Sequence, residues 1–164
     1  MYPQNKKTLI LGLGNDILTD DAIGILVVRR LSEILKDFTE FDFRETTEMG
    51  IALLDYIEGY HRLVVVDAVV DNENGAGVVR ELSMNDFAGA GCSTPHFLGL
   101  RDTIEFGKRM DMLMPSDILI LGIGVKDPFS VSEKLSPELS TKLDEIVHDV
   151  KQRIERFAEL QVNG

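Results

Sequence analysis

Thr8 to Leu13 (TLILGL) is an unbroken apolar run stopped by Gly14-Asn15, the pattern of a strand buried on both faces. Beyond that turn, Asp20 and Asp21 open a stretch in which Ile23, Val27, Leu31, Ile34 and Leu35 recur at helical spacing. Phe41 to Thr46 reads as a second strand, and Gly50 to Ile57 (GIALLDYI) as a second helix ended by Gly59. Leu63 to Val66 (LVVV) is the most strongly marked strand, β-branched and bounded by Arg62 and Asp67. The order βαβαβ predicts parallel strands joined by right-handed helical crossovers, hence a doubly wound sheet.

The pattern then changes. Only DNENGA separates Val70 from Gly77, whereas a parallel crossover needs about a dozen residues or more, so the strand Gly77 to Leu82 is expected to run antiparallel to the one before it. A long loop, Ser83 to Pro95, must carry the chain back, and loops of that length are usually functional or disordered. A short helix is expected after His96, and Asp117 to Val125 (DILILGIGV) as a last buried strand. Ser136-Pro137 starts a final helix, with proline at the first helical position, where its missing N–H does no harm. Leu139, Leu143, Ile146, Val150, Ile154 and Phe157 form the apolar face of that helix. The expected fold is α/β: three layers, α/β/α, around a mostly parallel, twisted five-stranded sheet with one antiparallel strand. No linker, charge block, repeat or low-complexity tract interrupts the chain, so a single domain over 1–164 is expected.

Composition narrows the class. The 164 residues can bury about 70% of the surface of the unfolded chain. With 44% hydrophobic and 27% charged residues, 5 Pro and 14 Gly, collagen-like and disordered readings fall away. The 28 acidic residues against 17 Lys and Arg leave a formal charge of −11, which repels the phosphate backbone and anionic lipid. No nucleic acid and no membrane partner is expected. The lone Cys92 excludes an intramolecular disulfide and a cysteine-rich zinc site. Lys6 and Lys7 precede an apolar run too short for a signal peptide, and no stretch is long enough to span a bilayer. A cytoplasmic protein is expected.

In an open parallel sheet, sites form outside the carboxyl ends of the strands, where connections leave in opposite directions. Asp20 and Asp21 follow the first strand, Glu45 and Glu48 the second and Asp67 the third, and the long loop delivers His96. Carboxylates and an imidazole suit a zinc- or nickel-like divalent ion with open positions, and equally acid–base chemistry. Each residue also has a purely structural role open to it. Asp20 can be the N-cap of the first helix, and Asp21 a first-turn carboxylate favoured by the helix dipole. His96 can cap the helix that follows it. Asp67, directly behind four buried residues, needs a partner wherever it points. His61 and His148 are flanked by polar residues and expected in solvent. Cys92 is either a nucleophile paired with His96 or a plain loop thiol. The dinucleotide fingerprint fails because Gly12 and Gly14 are followed by Ile17 where a third glycine is needed, and no phosphate-loop Gly-Lys-Ser/Thr exists.

GLGNDILTDDAIG at 12–24, GYHRLVVVDAV at 59–69 and TPHFLGL at 94–100 resemble, in order and spacing, the hydrogenase maturation endopeptidases of the HybD/HycI type. The LILGIGV strand and the last helix fit as well, so the resemblance covers most of the chain. It implies a metal-binding, catalytic set of Asp21, Asp67 and His96. It also implies a function: removal of a C-terminal extension from the precursor of a nickel-iron hydrogenase large subunit after nickel insertion. The nickel would be carried by that precursor, with zinc or another divalent ion an option in the isolated protein. Two carboxylates and one imidazole leave room for ligands from the partner. A non-catalytic chaperone that recognises the metal-bearing client is the alternative. Where the family often has Asp-Gly-Gly-Thr-x-Gly, this chain reads Glu45-Thr46-Thr47-Glu48-Met49-Gly50, replacing two glycines by β-branched threonines and pointing to a different loop backbone. Glu45 and Glu48 are the expected substrate-binding residues.

Overall fold

The structure, a computed structural model, describes residues 5–84 and 99–159. Five strands, β1 (Asn5–Leu13), β2 (Phe41–Thr46), β3 (Tyr60–Val70), β4 (Val79–Leu82) and β5 (Asp117–Val125), form one sheet in the order β2-β1-β3-β5-β4. All neighbours are parallel except β4, which runs antiparallel to β5. The helices are α1 (Ile23–Ile34), a 3-10 turn (Gly50–Leu53) running into α2 (Leu54–Ile57), α3 (Leu100–Arg109) and α4 (Pro137–Glu159).

Period-two alternation divides the buried strand residues between two cores. Ile10, Val64, Val66, Leu121 and Ile123 pack beneath α1 and α4, whose Val27, Leu31, Ile146, Val150 and Ile154 are buried against them. Leu9, Leu11, Leu63, Val65, Val69 and Ile120 face the other way, onto Leu53, Leu54 and Ile57 of the short helical segment and Leu100 and Ile104 of α3. The sheet is thus covered on both sides, as its apolar strands require, and the α/β/α expectation holds.

Several elements match the sequence reading residue for residue, among them β2, β5 and the start of α4. Three differ. The strand predicted at Leu63 to Val66 extends to Tyr60 and Val70, because β5 offers a continuous parallel partner from Arg62↔Asp117 to Val70↔Val125. The strand predicted from Gly77 begins as β4 at Val79 and does run antiparallel to β3, but β5 lies between them. The helix α1 begins at Ile23, beyond Asp20 and Asp21. Among the described residues no helix is long and apolar enough to cross a membrane.

Candidate active site

The connections after β1 and β3 diverge: β1 leads through α1 to β2 on one side, while β3 is flanked by β5 on the other. The crevice of this switch point therefore opens above the carboxyl ends of β1 and β3. Asp67 sits there. The sequence places it after the third strand; it lies inside β3, opposite Gly122 of β5. Its β1 ladder, however, ends one residue earlier, at Gly12↔Val66, so Asp67 still stands at the mouth of the β1–β3 pair. It is 0% exposed. Alternation with Leu63, Val65 and Val69 puts it on the face that carries α3. Its Oδ1 accepts the N–H of Ala68 at 2.8 Å, and this is not its sole interaction. A carboxylate buried this deeply persists only when such partners replace water.

Two glycines bring the β1–α1 loop and the start of α1 onto this spot. A Cβ on Gly24 would lie 2.4 Å from the Leu13 carbonyl oxygen, 2.5 Å from that of Val66 and 3.0 Å from the Asp67 Cα. Only a bare backbone lets the first turn of α1 touch the end of β1 and the middle of β3 together. At Gly14 a Cβ would stand 2.2 Å from the Asp21 carbonyl oxygen, so the loop closes back on the strand end at Asp21 itself. Asp21, 5% exposed, therefore precedes by three residues the point where α1 meets Asp67. The dinucleotide fingerprint is absent, yet the close helix–strand approach it provides is made here by Gly24. Sequence reasoning passed over Gly24 as a structural residue; its signal was a glycine in the first turn of a helix, where it is otherwise costly.

Asp20 does not cap α1. The N-cap is Ala22, with no side-chain hydrogen bond, and Asp20 Oδ1 instead accepts the N–H of Ser136 at 2.7 Å, at the entrance to α4. Glu45, exposed, binds Arg29 of α1 in a fork, Oε1 to Nη2 at 2.8 Å and Oε2 to Nε at 3.1 Å. The hydrogen bond that Arg29 donates to Glu45, ahead of the carboxylate charge, pushes the guanidinium further up. Glu48 is exposed, and its N–H donates to Thr46 Oγ1 at 3.0 Å. Asp16, Arg29, Glu45, Thr46, Glu48 and Tyr56 line a shallow pocket of about 280 Å³ beside the crevice. In that loop only Gly50 takes a left-handed backbone, at φ +61°, leaving Thr46 and Thr47 in regions that β-branched residues tolerate.

His96 and Cys92 lie outside the described residues, as does most of the loop predicted at Ser83 to Pro95. His148 is exposed, and the side chain of His61, 44% exposed, lies beside Asp117 and Ser116 at the opposite end of the sheet. Among the described residues no three His, Cys, Asp or Glu side chains group closely enough to hold a metal ion. Asp21 and Asp67 are both buried, and a carboxylate is an oxygen donor of the kind that suits a divalent cation.

The fold and this edge define a doubly wound α/β protein with buried acids at its switch point. The hydrogenase maturation protease family (HycI) matches residues 25–156, and the chain belongs to that family. The match takes in Asp67 and begins four residues after Asp21. The chain is 29% identical over 137 residues to the hydrogenase 2 maturation protease of Escherichia coli, covering 81% of this chain and 77% of that one. Its fold resembles that of the E. coli hydrogenase maturating endopeptidase HybD, with a TM-score of 0.72 at 23% identity, covering 92% and 93% of the two chains. The [NiFe] hydrogenase maturation protease HybD from Thermococcus kodakarensis is similar as well, at 25% identity and a TM-score of 0.69 over 89% and 97%.

Proposed function

We propose that the chain is an endopeptidase that removes the C-terminal extension of a nickel-iron hydrogenase large-subunit precursor after nickel insertion, acting in the cytoplasm. The observation that carries this reading is the seating of Asp21 and Asp67 at the switch point, in a chain of the maturation protease family. Asp21, Asp67 and His96 are the proposed ligands and catalytic residues. The nickel belongs to the precursor, and an incomplete protein ligand set suits a metal that arrives with other ligands already attached. A divalent ion held by these residues would supply Lewis-acid chemistry, polarising the scissile carbonyl or activating water. The chain's own contribution is to hold two carboxylates in place before the substrate arrives, so that no ordering cost falls on the encounter. Glu45 and Glu48, which line the neighbouring pocket, are the proposed substrate-binding residues.

The test is incubation with nickel-loaded precursor, read by mass spectrometry of its C-terminus. The wild type should shorten the precursor, and Asp67→Ala and His96→Ala should leave it at full length. Processing that survives either substitution would sink the site assignment. A client that is bound but never shortened would make the protein a chaperone instead.

A further inference from the structure

We propose that Asp20 is a positioning residue for Asp21, fixing the loop that presents it by a hydrogen bond to the N-terminal end of α4. This rests on the endopeptidase reading for its kinetic consequence, but not for its structural one. Asp20 is 2% exposed and adjacent to Asp21, and its Oδ1 takes the Ser136 N–H at 2.7 Å across 116 residues of sequence. The partner is a rigid post: α4 runs from Pro137 to Glu159, and its Leu139, Ile146, Val150 and Ile154 are each at most 2% exposed. A negative side chain at a helix N-terminus also gains from the helix dipole.

The bond is the last of a series. The loop between β5 and α4 runs alongside the loop between β1 and α1, with Leu18 bridged antiparallel to Val131. The Ser130 carbonyl accepts both the N–H and the Oγ1 of Thr19, at 2.8 and 2.7 Å, and the Ile17 carbonyl accepts the Ser132 N–H at 3.2 Å. Asp127 stiffens that second loop by accepting the N–H groups of Phe129 and Ser130 at 3.0 Å each. The Asp21 carbonyl lies close against Gly14, where a Cβ would not fit, and the Asp20 side chain ties the neighbouring residue to α4. Releasing Asp20 therefore frees Asp21 to shift while the Gly24 contact with β3 stays in place.

Asp20→Asn keeps an acceptor at Oδ1 and Asp20→Ala does not. With nickel-loaded precursor, Asp20→Ala should lower kcat by at least about tenfold, towards the roughly hundredfold that a 1 Å misplacement costs. KM should rise as well, because Asp21 is a proposed ligand of the nickel that the precursor carries. Asp20→Asn should recover most of the loss. Hydrogen exchange of the peptide spanning 14–22 should accelerate in Asp20→Ala and stay near wild type in Asp20→Asn. As a check that leaves the acidic loop intact, Ser136→Pro deletes the donor and should copy Asp20→Ala in both readouts, whereas Ser136→Ala keeps it and should not. Wild-type kcat or unchanged exchange in Asp20→Ala overturns the proposal. So does an Asp20→Asn as inactive as Asp20→Ala with normal exchange, which would make Asp20 a ligand in its own right. A wild type that fails to process precursor refutes the endopeptidase reading alone, and the exchange comparison still decides whether Asp20 holds the loop.

Discussion

Gly24 is where one atom decides the site. A Cβ there would collide with two carbonyl oxygens and crowd the Cα of Asp67, all of them backbone atoms, so no flexible side chain is available to yield. Overpacking of this kind typically costs about 1–3 kcal/mol, and backbone neighbours push towards the upper end. Gly24→Ala is therefore expected to lower the unfolding free energy, read from urea denaturation, by that amount, and to lower processing further than the lost folded fraction explains, because α1 and Asp67 are forced apart. Activity that tracks the folded fraction alone would remove the link between this contact and the site. Asp20 carries the complementary lesson. Read in sequence it is a helix cap for α1; in the fold its carboxylate serves α4, a partner that local spacing cannot reveal.

At the scale of elements, the turn after β3 and the contact between α1 and β2 behave differently because one is buried and the other is wet. Asp71 Oδ1 accepts the N–H groups of Glu73 and Asn74 at 3.1 and 3.0 Å, and Arg80 of β4 lies 3.2 Å from Oδ2. The Asn74 N–H is the main cause that holds the Asp71 carboxyl below its ordinary value of 3.8, with the Asn74 side chain, the Glu73 N–H and Arg80 adding to it against burial. A depressed folded value stabilises the fold above the unfolded one and loses that contribution as pH falls. Asp71→Ala is expected to cost about 1–3 kcal/mol at neutral pH. In acid titrations, the stability gap between wild type and Asp71→Asn should be full above pH 3.8 and shrink as pH drops through the lower folded value. By contrast Arg29 and Glu45 are about half exposed, so breaking their pair by Glu45→Gln should change stability by less than about 1 kcal/mol. The consequence expected there is a higher KM for the precursor at little change in kcat, measured by steady-state processing.

For the whole molecule, the site joins a loop entering α1 to the middle of a strand, and neither part is a site alone. Asp21 and Asp67 should then act as a unit: Asp21→Ala, Asp67→Ala and the double variant are expected to lose about the same activity, with folding checked by circular dichroism. Additive losses would mean that the two carboxylates act separately. The sequence by itself determined the elements, because apolar periodicity and glycine or proline punctuation are local, and it determined which strand ends carry acids, because strand direction follows from crossover length. β2, β5 and the start of α4 were legible for that reason. Only the tertiary structure decided that β5 inserts between β3 and β4, that Asp67 lies within its strand and not past it, and that Asp20 answers to α4. Each of those depends on a partner that is distant in sequence, and the closeness of Asp21 to the strand ends depends on atoms that Gly14 and Gly24 do not have. No pattern along the chain encodes a distance between backbones that the fold alone brings together.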